Sequence, residues 1–195
     1  PLIAEHTVLM MLSLARDMPA LIKEQEDHLW GRDNLGNVAR VSTQMLGKTI
    51  AILGVGQIGG NLARICKVGF GMKVIGMSRT TRDSELVDRY FNRSELHQAL
   101  GEADVVALCL ALTPSNQGII GKAELEAMKP TGFVINTARG GLIDEDALVD
   151  AIHGANRRRI SGHRRLGAST RKQSALGLAQ HNHNRACRGV YRWRS

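Results

Sequence analysis

Aromatic residues are scarce in this 195-residue chain, which has three Phe, two Tyr and two Trp. Proteins that grip single-stranded nucleic acid without sequence preference stack bases on rings set along a basic groove, and that supply is missing. Apolar runs are also short, and none has the length of a membrane-spanning helix. The opening stretch, Pro1–Leu14, is apolar but carries Glu5 and lacks the basic start and small-residue cleavage pattern of a signal peptide. It begins inside a helical pattern and reads as the start of a fragment. The three cysteines, Cys66, Cys109 and Cys187, show neither metal nor redox spacing. They are expected to be buried thiols in a reducing cytoplasm.

Acidic residues are absent from the last part of the chain. All 18 lie in 1–150, with 15 of the 26 basic residues, whereas the other 11 basic residues fall in 151–195. The overall charge of +8 therefore averages a mildly acidic body and a strongly basic tail, which need separate explanations.

Glycine is plentiful, with 21 residues. Residues 4–16 read as a mostly buried helix, a second helical piece runs to about Trp30, and 31–47 is a polar, glycine-bearing arm. From Lys48 the pattern alternates. Thr49–Leu53, Met72–Met77, Asp104–Leu110 and Phe133–Thr137 are short runs rich in β-branched residues and suit strands buried on both faces. Ile58–Phe70, Ser94–Leu100, Lys122–Met128 and Asp144–Ile152 read as helices, with Asp144 as an N-cap. This alternation predicts an α/β fold with a doubly wound parallel sheet.

One motif stands in the context it requires. Gly54-Val55-Gly56-Gln57-Ile58-Gly59 follows a predicted strand and opens a predicted helix. Gly54 permits the sharp turn, Gly56 lets a pyrophosphate approach the backbone, and Gly59 lets helix and strand pack closely. The amides of the helix start, including Gln57 and Ile58, then face the anion. A dinucleotide is the expected cofactor. At the end of the second strand, Met77-Ser78-Arg79-Thr80-Thr81-Arg82 carries no acid to hold ribose hydroxyls. Ser78, Arg79 and Thr80 suit a 2′-phosphate, so NADP is favoured over NAD.

Four segments together carry a resemblance. They are Ala4-Glu5-His6-Thr7, Leu46-Gly47-Lys48-Thr49-Ile50, the run Leu108 to Pro114, and the run Met128 to Leu148, which contains Asn136-Thr137-Ala138-Arg139-Gly140. Over about residues 3–153 the chain resembles the D-isomer-specific 2-hydroxyacid dehydrogenases. The resemblance implies a Rossmann-type cofactor domain in a two-domain homodimer. It implies hydride transfer between NAD(P) and a small 2-hydroxy or 2-oxo acid. Arg139 would grip the substrate carboxylate as a catalytic residue, and Leu110, Ala111, Thr113, Thr137 and Ala138 would lie along the cofactor. Ala111 departs from the proline usual there. Asp144, Glu145 and Asp146 are read as helix-capping charges and not as acid or base groups.

After Ile152 the resemblance stops, and with it the family's glutamate and histidine. Residues 154–195 are expected to be a disordered, out-of-frame tail. Read one nucleotide out of register, the codons from Leu178 onward can spell Leu-Pro-Asn, an Ile/Thr run and His-Val-Ala-Gly, as the family does; the coding DNA decides this. The chain alone is expected to show little turnover. No nucleic acid partner is expected, since Tyr191 and Trp193 are the tail's only Phe, Tyr or Trp residues. No metal is expected either, because His181, His183 and Cys187 match no common zinc spacing. The alternative reading is a non-catalytic nucleotide-binding module with a basic interaction tail; a third is the product of a pseudogene.

Overall fold

The computed structural model describes residues 1–28, 42–79, 85–160 and 189–192, without the side chains of 20, 23, 153–160 and 189–192. Helices α1 (Leu2–Ala15) and α2 (Met18–Glu26) lead in. Then come β1 (Thr49–Leu53), α3 (Gln57–Arg64), which continues into a π turn at Ile65–Gly69, β2 (Lys73–Met77) and β3 (Arg89–Phe91). Next are α4 (Leu96–Glu102), β4 (Val105–Leu108), α5 (Lys122–Ala127), β5 (Phe133–Asn136), α6 (Glu145–Ile160) and β6 (Gly189–Arg192). The sheet order is β3-β2-β1-β4-β5-β6. Strands β1 to β5 are parallel and β6 is antiparallel to β5.

Alternation along each strand splits the core into two layers. Ala51, Leu53, Val106, Leu108 and Val134 face one way and pack with Leu96, Leu100, Leu125 and Leu148 from α4, α5 and α6. Ile50, Ile52, Val105, Ala107, Phe133 and Ile135 face the other way and meet Ala4, Met11, Ala15, Leu62 and Cys66 from α1, α3 and the π turn. Burial on both faces is why the strands read as continuous apolar runs instead of alternating ones.

The N-terminal ends of the strands are tied together by Asp104. Its carboxylate accepts from the Thr49 N–H at 2.9 Å and from Lys129 Nζ at 3.1 Å, while its carbonyl accepts from the Phe133 N–H at 3.0 Å. One acid thereby joins β1, β4 and β5 at the edge away from the glycine turn.

Three features differ from expectation. The edge strand β3 was not foreseen, because three residues flanked by charge carry no readable period. The long helix after the glycine turn changes to π geometry at Ile65, so that the Cys66 carbonyl accepts from the Met72 N–H at 3.0 Å and turns the chain into β2. The segment expected to be disordered carries backbone structure at both its ends. Helix α6 continues to Ile160 and residues 189–192 form β6. The physical reason for β6 is the row of unpaired backbone groups that the outer edge of β5 presents. Residues 161–188 and 193–195, with His181, His183, Cys187 and Trp193, lie outside the described residues. So does most of the expected arm at 31–47.

Candidate functional site

Because β1 to β5 are parallel and in register, they end level. Phe91, Met77, Leu53, Leu108 and Asn136 stand side by side across the sheet. The turns that follow them emerge at one edge, and β1 and β4 flank the point where the strand order reverses. Open sheets of this kind form a ligand crevice there.

The glycine turn leaves β1 at Gly54, where φ is +103° and an added Cβ would stand 2.8 Å from the Cys109 carbonyl carbon. Only glycine tolerates both conditions. The Gly54 and Val55 N–H groups donate to the Met77 carbonyl at 2.9 and 3.1 Å, pinning the turn to β2. At Gly59 a Cβ would come within 2.2 Å of the Gly54 carbonyl oxygen. The helix is seated on its own turn there. Gly56 is the contrast, because a Cβ on it would meet nothing within 4 Å. It opens α3, which has no side-chain cap. The first amides of a helix have no partner in a preceding turn. Above Gly56, Gln57 and Ile58 there is thus an open surface of backbone donors at the positive end of a helix dipole, suited to an anion.

Beside this turn, β2 ends at half-buried Ser78 and exposed Arg79, while Thr80 lies outside the described residues. Beyond β4, Leu110 packs on the core and Ala111 and Thr113 are exposed. That loop is closed by Asn116, whose Nδ2 donates to the Ala111 carbonyl at 3.1 Å and whose N–H donates to the Thr113 carbonyl at 3.0 Å. It is zipped to the next turn by Gly118 N–H to Gly141 carbonyl at 2.9 Å and by Ile120 N–H to Leu142 carbonyl at 3.1 Å.

Arg139 follows β5 in that turn. It is exposed, and its guanidinium donates to the Ala138 carbonyl at 3.0 Å. The backbone around it is held by Asn136. Its Oδ1 accepts from the Ala138 N–H at 3.0 Å and its Nδ2 donates to the Arg139 carbonyl at 2.8 Å. Thr137 is placed differently from its neighbours. Its side chain is buried and its hydroxyl lies 3.2 Å from that of Thr7 on α1. Only its backbone is offered to the crevice. Asp144 caps α6 as expected, accepting from the Ala147 N–H at 3.0 Å.

Cys109 stands at the same edge, directly after β4. Burial lifts its thiol to about 11, although contact with Thr137 works the other way. Burial, aided by Cys109, lifts Cys66 to about 12. Among the described residues no group of three or more metal-binding side chains occurs and no helix is long and apolar enough to cross a membrane.

Asn136 was not singled out in the sequence, although a signal was present. It is a lone polar residue closing an apolar strand, and Asn side chains readily bond the backbone two residues on.

Known proteins resemble this chain in sequence and fold. Residues 8–162 match the family pattern described as D-isomer specific 2-hydroxyacid dehydrogenase, NAD binding domain. The D-3-phosphoglycerate dehydrogenase of Synechocystis is 34% identical over 152 residues, covering 78% of this chain and 26% of its own length. The glyoxylate reductase of Aeropyrum pernix is 35% identical over 159 residues, covering 76% and 45%. Among solved structures, the apo-structure of D-lactate dehydrogenase from Escherichia coli superposes with a TM-score of 0.69 at 32% identity, covering 78% of this chain and 46% of that one. This chain thus spans between a quarter and a half of the length of these relatives. The chain belongs to the D-isomer specific 2-hydroxyacid dehydrogenase family and carries its NAD-binding domain.

Proposed function

We propose that the chain is the cofactor-binding half of an NAD(P)-dependent dehydrogenase acting on a small 2-hydroxy or 2-oxo acid. The observation that carries the reading is the level ending of β1, β4 and β5, which puts the glycine turn and the Arg139 turn at one edge of the sheet. The residues present fit a dinucleotide, because the face of Gly56 is open and the first amides of α3 have no side-chain cap. When bound, the nicotinamide supplies or accepts the hydride. Gln57 and Ile58 hold the pyrophosphate through their backbone. Leu110, Ala111, Thr113 and Ala138, with the backbone of Thr137, line the path toward β5. Arg139 binds the substrate carboxylate with two parallel bonds and fixes the carbonyl carbon for attack.

Ser78 and Arg79 at the end of β2, with Thr80, favour the 2′-phosphate of NADP over the bare ribose of NAD. The exposed apolar face of α1, with Leu2 78% and Leu9 60% accessible, supports a homodimer formed through that helix in the whole protein. The free thiols of Cys66 and Cys109 support a reducing, cytoplasmic setting. The non-catalytic alternative is not favoured, since the family match runs through the arginine turn.

Calorimetric titration of the chain with NADPH and NADH tests the reading. Binding of either is expected, with NADPH tighter and the gap narrowed by Arg79→Ala. A chain that binds neither at millimolar concentration sinks the assignment, and an equal or reversed preference sinks the NADP part of it.

A further inference from the structure

Three polar residues are buried among the described residues: Thr7, Asn136 and Thr137 at 1%, 2% and 6% exposure. All three converge on the turn that carries Arg139. Burying a polar group is costly unless it is bonded, and here Asn136 bonds within one short segment while the threonines link that segment to its surroundings. Asn136 uses both halves of its amide. Its oxygen holds the Ala138 N–H and its nitrogen holds the Arg139 carbonyl. The Ala138 carbonyl, in the peptide between the two so held, receives the Arg139 guanidinium. Holding the peptides on both sides of that carbonyl restricts where the charged head rests.

Thr137 ties the same turn to the rest of the molecule. Its hydroxyl lies 3.2 Å from the Thr7 hydroxyl and 3.5 Å from the Leu108 carbonyl. Thr7 in turn stands 2.8 Å from the Ile3 carbonyl within α1. Each hydroxyl has one proton. Thr7 donates to the Thr137 hydroxyl or to the Ile3 carbonyl, and Thr137 keeps its own proton for the Leu108 carbonyl. The arginine turn is thereby joined to a helix 130 residues away in sequence.

We infer that Thr7, Asn136 and Thr137 are positioning residues for Arg139, Asn136 setting the turn and the threonine pair locking it to α1. For the role of Arg139 this rests on the function proposed above. The tether itself does not depend on it.

The test uses the whole chain and four proteins: wild type, Asn136→Ala, Asn136→Asp and the double variant Thr7→Val/Thr137→Val. Asn136→Asp keeps the acceptor for Ala138 and loses the donor to Arg139. The valine pair is close in shape and removes both hydroxyls together, which leaves no orphan partner. The first readout needs no ligand: hydrogen exchange at the Ala138 amide, and the rate of phenylglyoxal modification at Arg139 against Arg79 as internal reference. Asn136→Ala is expected to lose Ala138 protection and to change Arg139 reactivity several-fold while Arg79 stays constant. Asn136→Asp is expected to keep the protection and still change the reactivity. The valine pair is expected to change Arg139 reactivity in the same direction by a smaller factor. The second readout is oxamate, an unreactive 2-oxo acid analogue, titrated onto the NADPH-loaded chain. Asn136→Ala is expected to weaken oxamate binding by roughly tenfold to a hundredfold, with NADPH affinity changed less. A merely structural role would lower the melting temperature and move both affinities together. If wild type binds NADPH but not oxamate, the substrate reading fails, and the exchange and reactivity data still decide the tether. Unchanged Ala138 exchange in Asn136→Ala, or unchanged Arg139 reactivity in all variants, overturns the inference.

Discussion

The two turns that meet at the edge of the sheet are built by opposite means. The glycine turn works by having no side chains, so that Gly54 passes against the Cys109 backbone, Gly59 against Gly54, and Gly56 stays open. The arginine turn works through side chains, with Asn136 and Thr137 holding a backbone that glycine alone would leave loose. A seat for an anion needs bare amides and free approach, whereas a head group that must point in one direction needs tethers. The first design fails when something is added and the second when something is removed.

Substitutions put that contrast to the test. The largest effect is expected at Gly59→Ala. The new Cβ would collide with the Gly54 carbonyl oxygen at 2.2 Å, and a backbone clash of this kind should cost about 3 kcal/mol of stability, the upper end for overpacking, read by urea denaturation. Native-like stability in this variant would show that the helix is not seated as described. Gly56→Val should separate the two functions of glycine. It has room within the chain, so the melting temperature should hardly move, but the branched side chain fills the dinucleotide seat. A loss of affinity of at least about a hundredfold, some 2.7 kcal/mol, is expected by calorimetry, and undiminished NADPH binding would place the ligand elsewhere.

Asp104→Ala acts at the opposite edge. It should destabilise by about 1–3 kcal/mol, because the Thr49 N–H loses its partner. Dinucleotide affinity of the folded fraction should be unchanged, and a parallel loss of affinity would contradict the separation of the two edges. The smallest effect is on pH. Burial alone would raise Asp88, but the Lys67 hydrogen bond, the Val74 N–H and the charges of Lys67 and Lys73 hold it below its ordinary value. Burial would likewise raise Glu124, and its bonds to His97 and the Gly121 N–H hold it low. Depressed carboxylates stabilise the fold above their ordinary range and lose that contribution as pH falls through the depressed values. Stability should therefore decline on the acid side, from about pH 4 downward. Replacing Glu124 by Gln should flatten that limb slightly, and an unaltered acid limb would show that Glu124 contributes nothing.

Strands β1, β2, β4 and β5 were legible in the sequence because they are buried on both faces, and α3 and α6 because they begin at Gly56 and Asp144. The glycine motif was legible because its meaning is local. Arg139 was reached through resemblance, since nothing in its spacing separates a substrate-holding arginine from a surface one. Asn136 and Thr7 escaped because their partners are set by tertiary contact. No period in the sequence announces a bond across 130 residues. The antiparallel β6 escaped for a related reason: its pairing is with β5, far back in the sequence, and four residues carry little pattern of their own.

The even register of the strand ends has one more consequence. Between the end of β2, at Met77, and the end of β5, at Asn136, lie three strand spacings, about 14 Å, and Arg79 and Arg139 stand in the turns that follow them. Residues that far apart and sharing no partner contribute additively. On the roles proposed for Arg79 and Arg139, choice of cofactor and choice of acid would be separable, and a lineage or an engineer could retune one end of the ledge without disturbing the other.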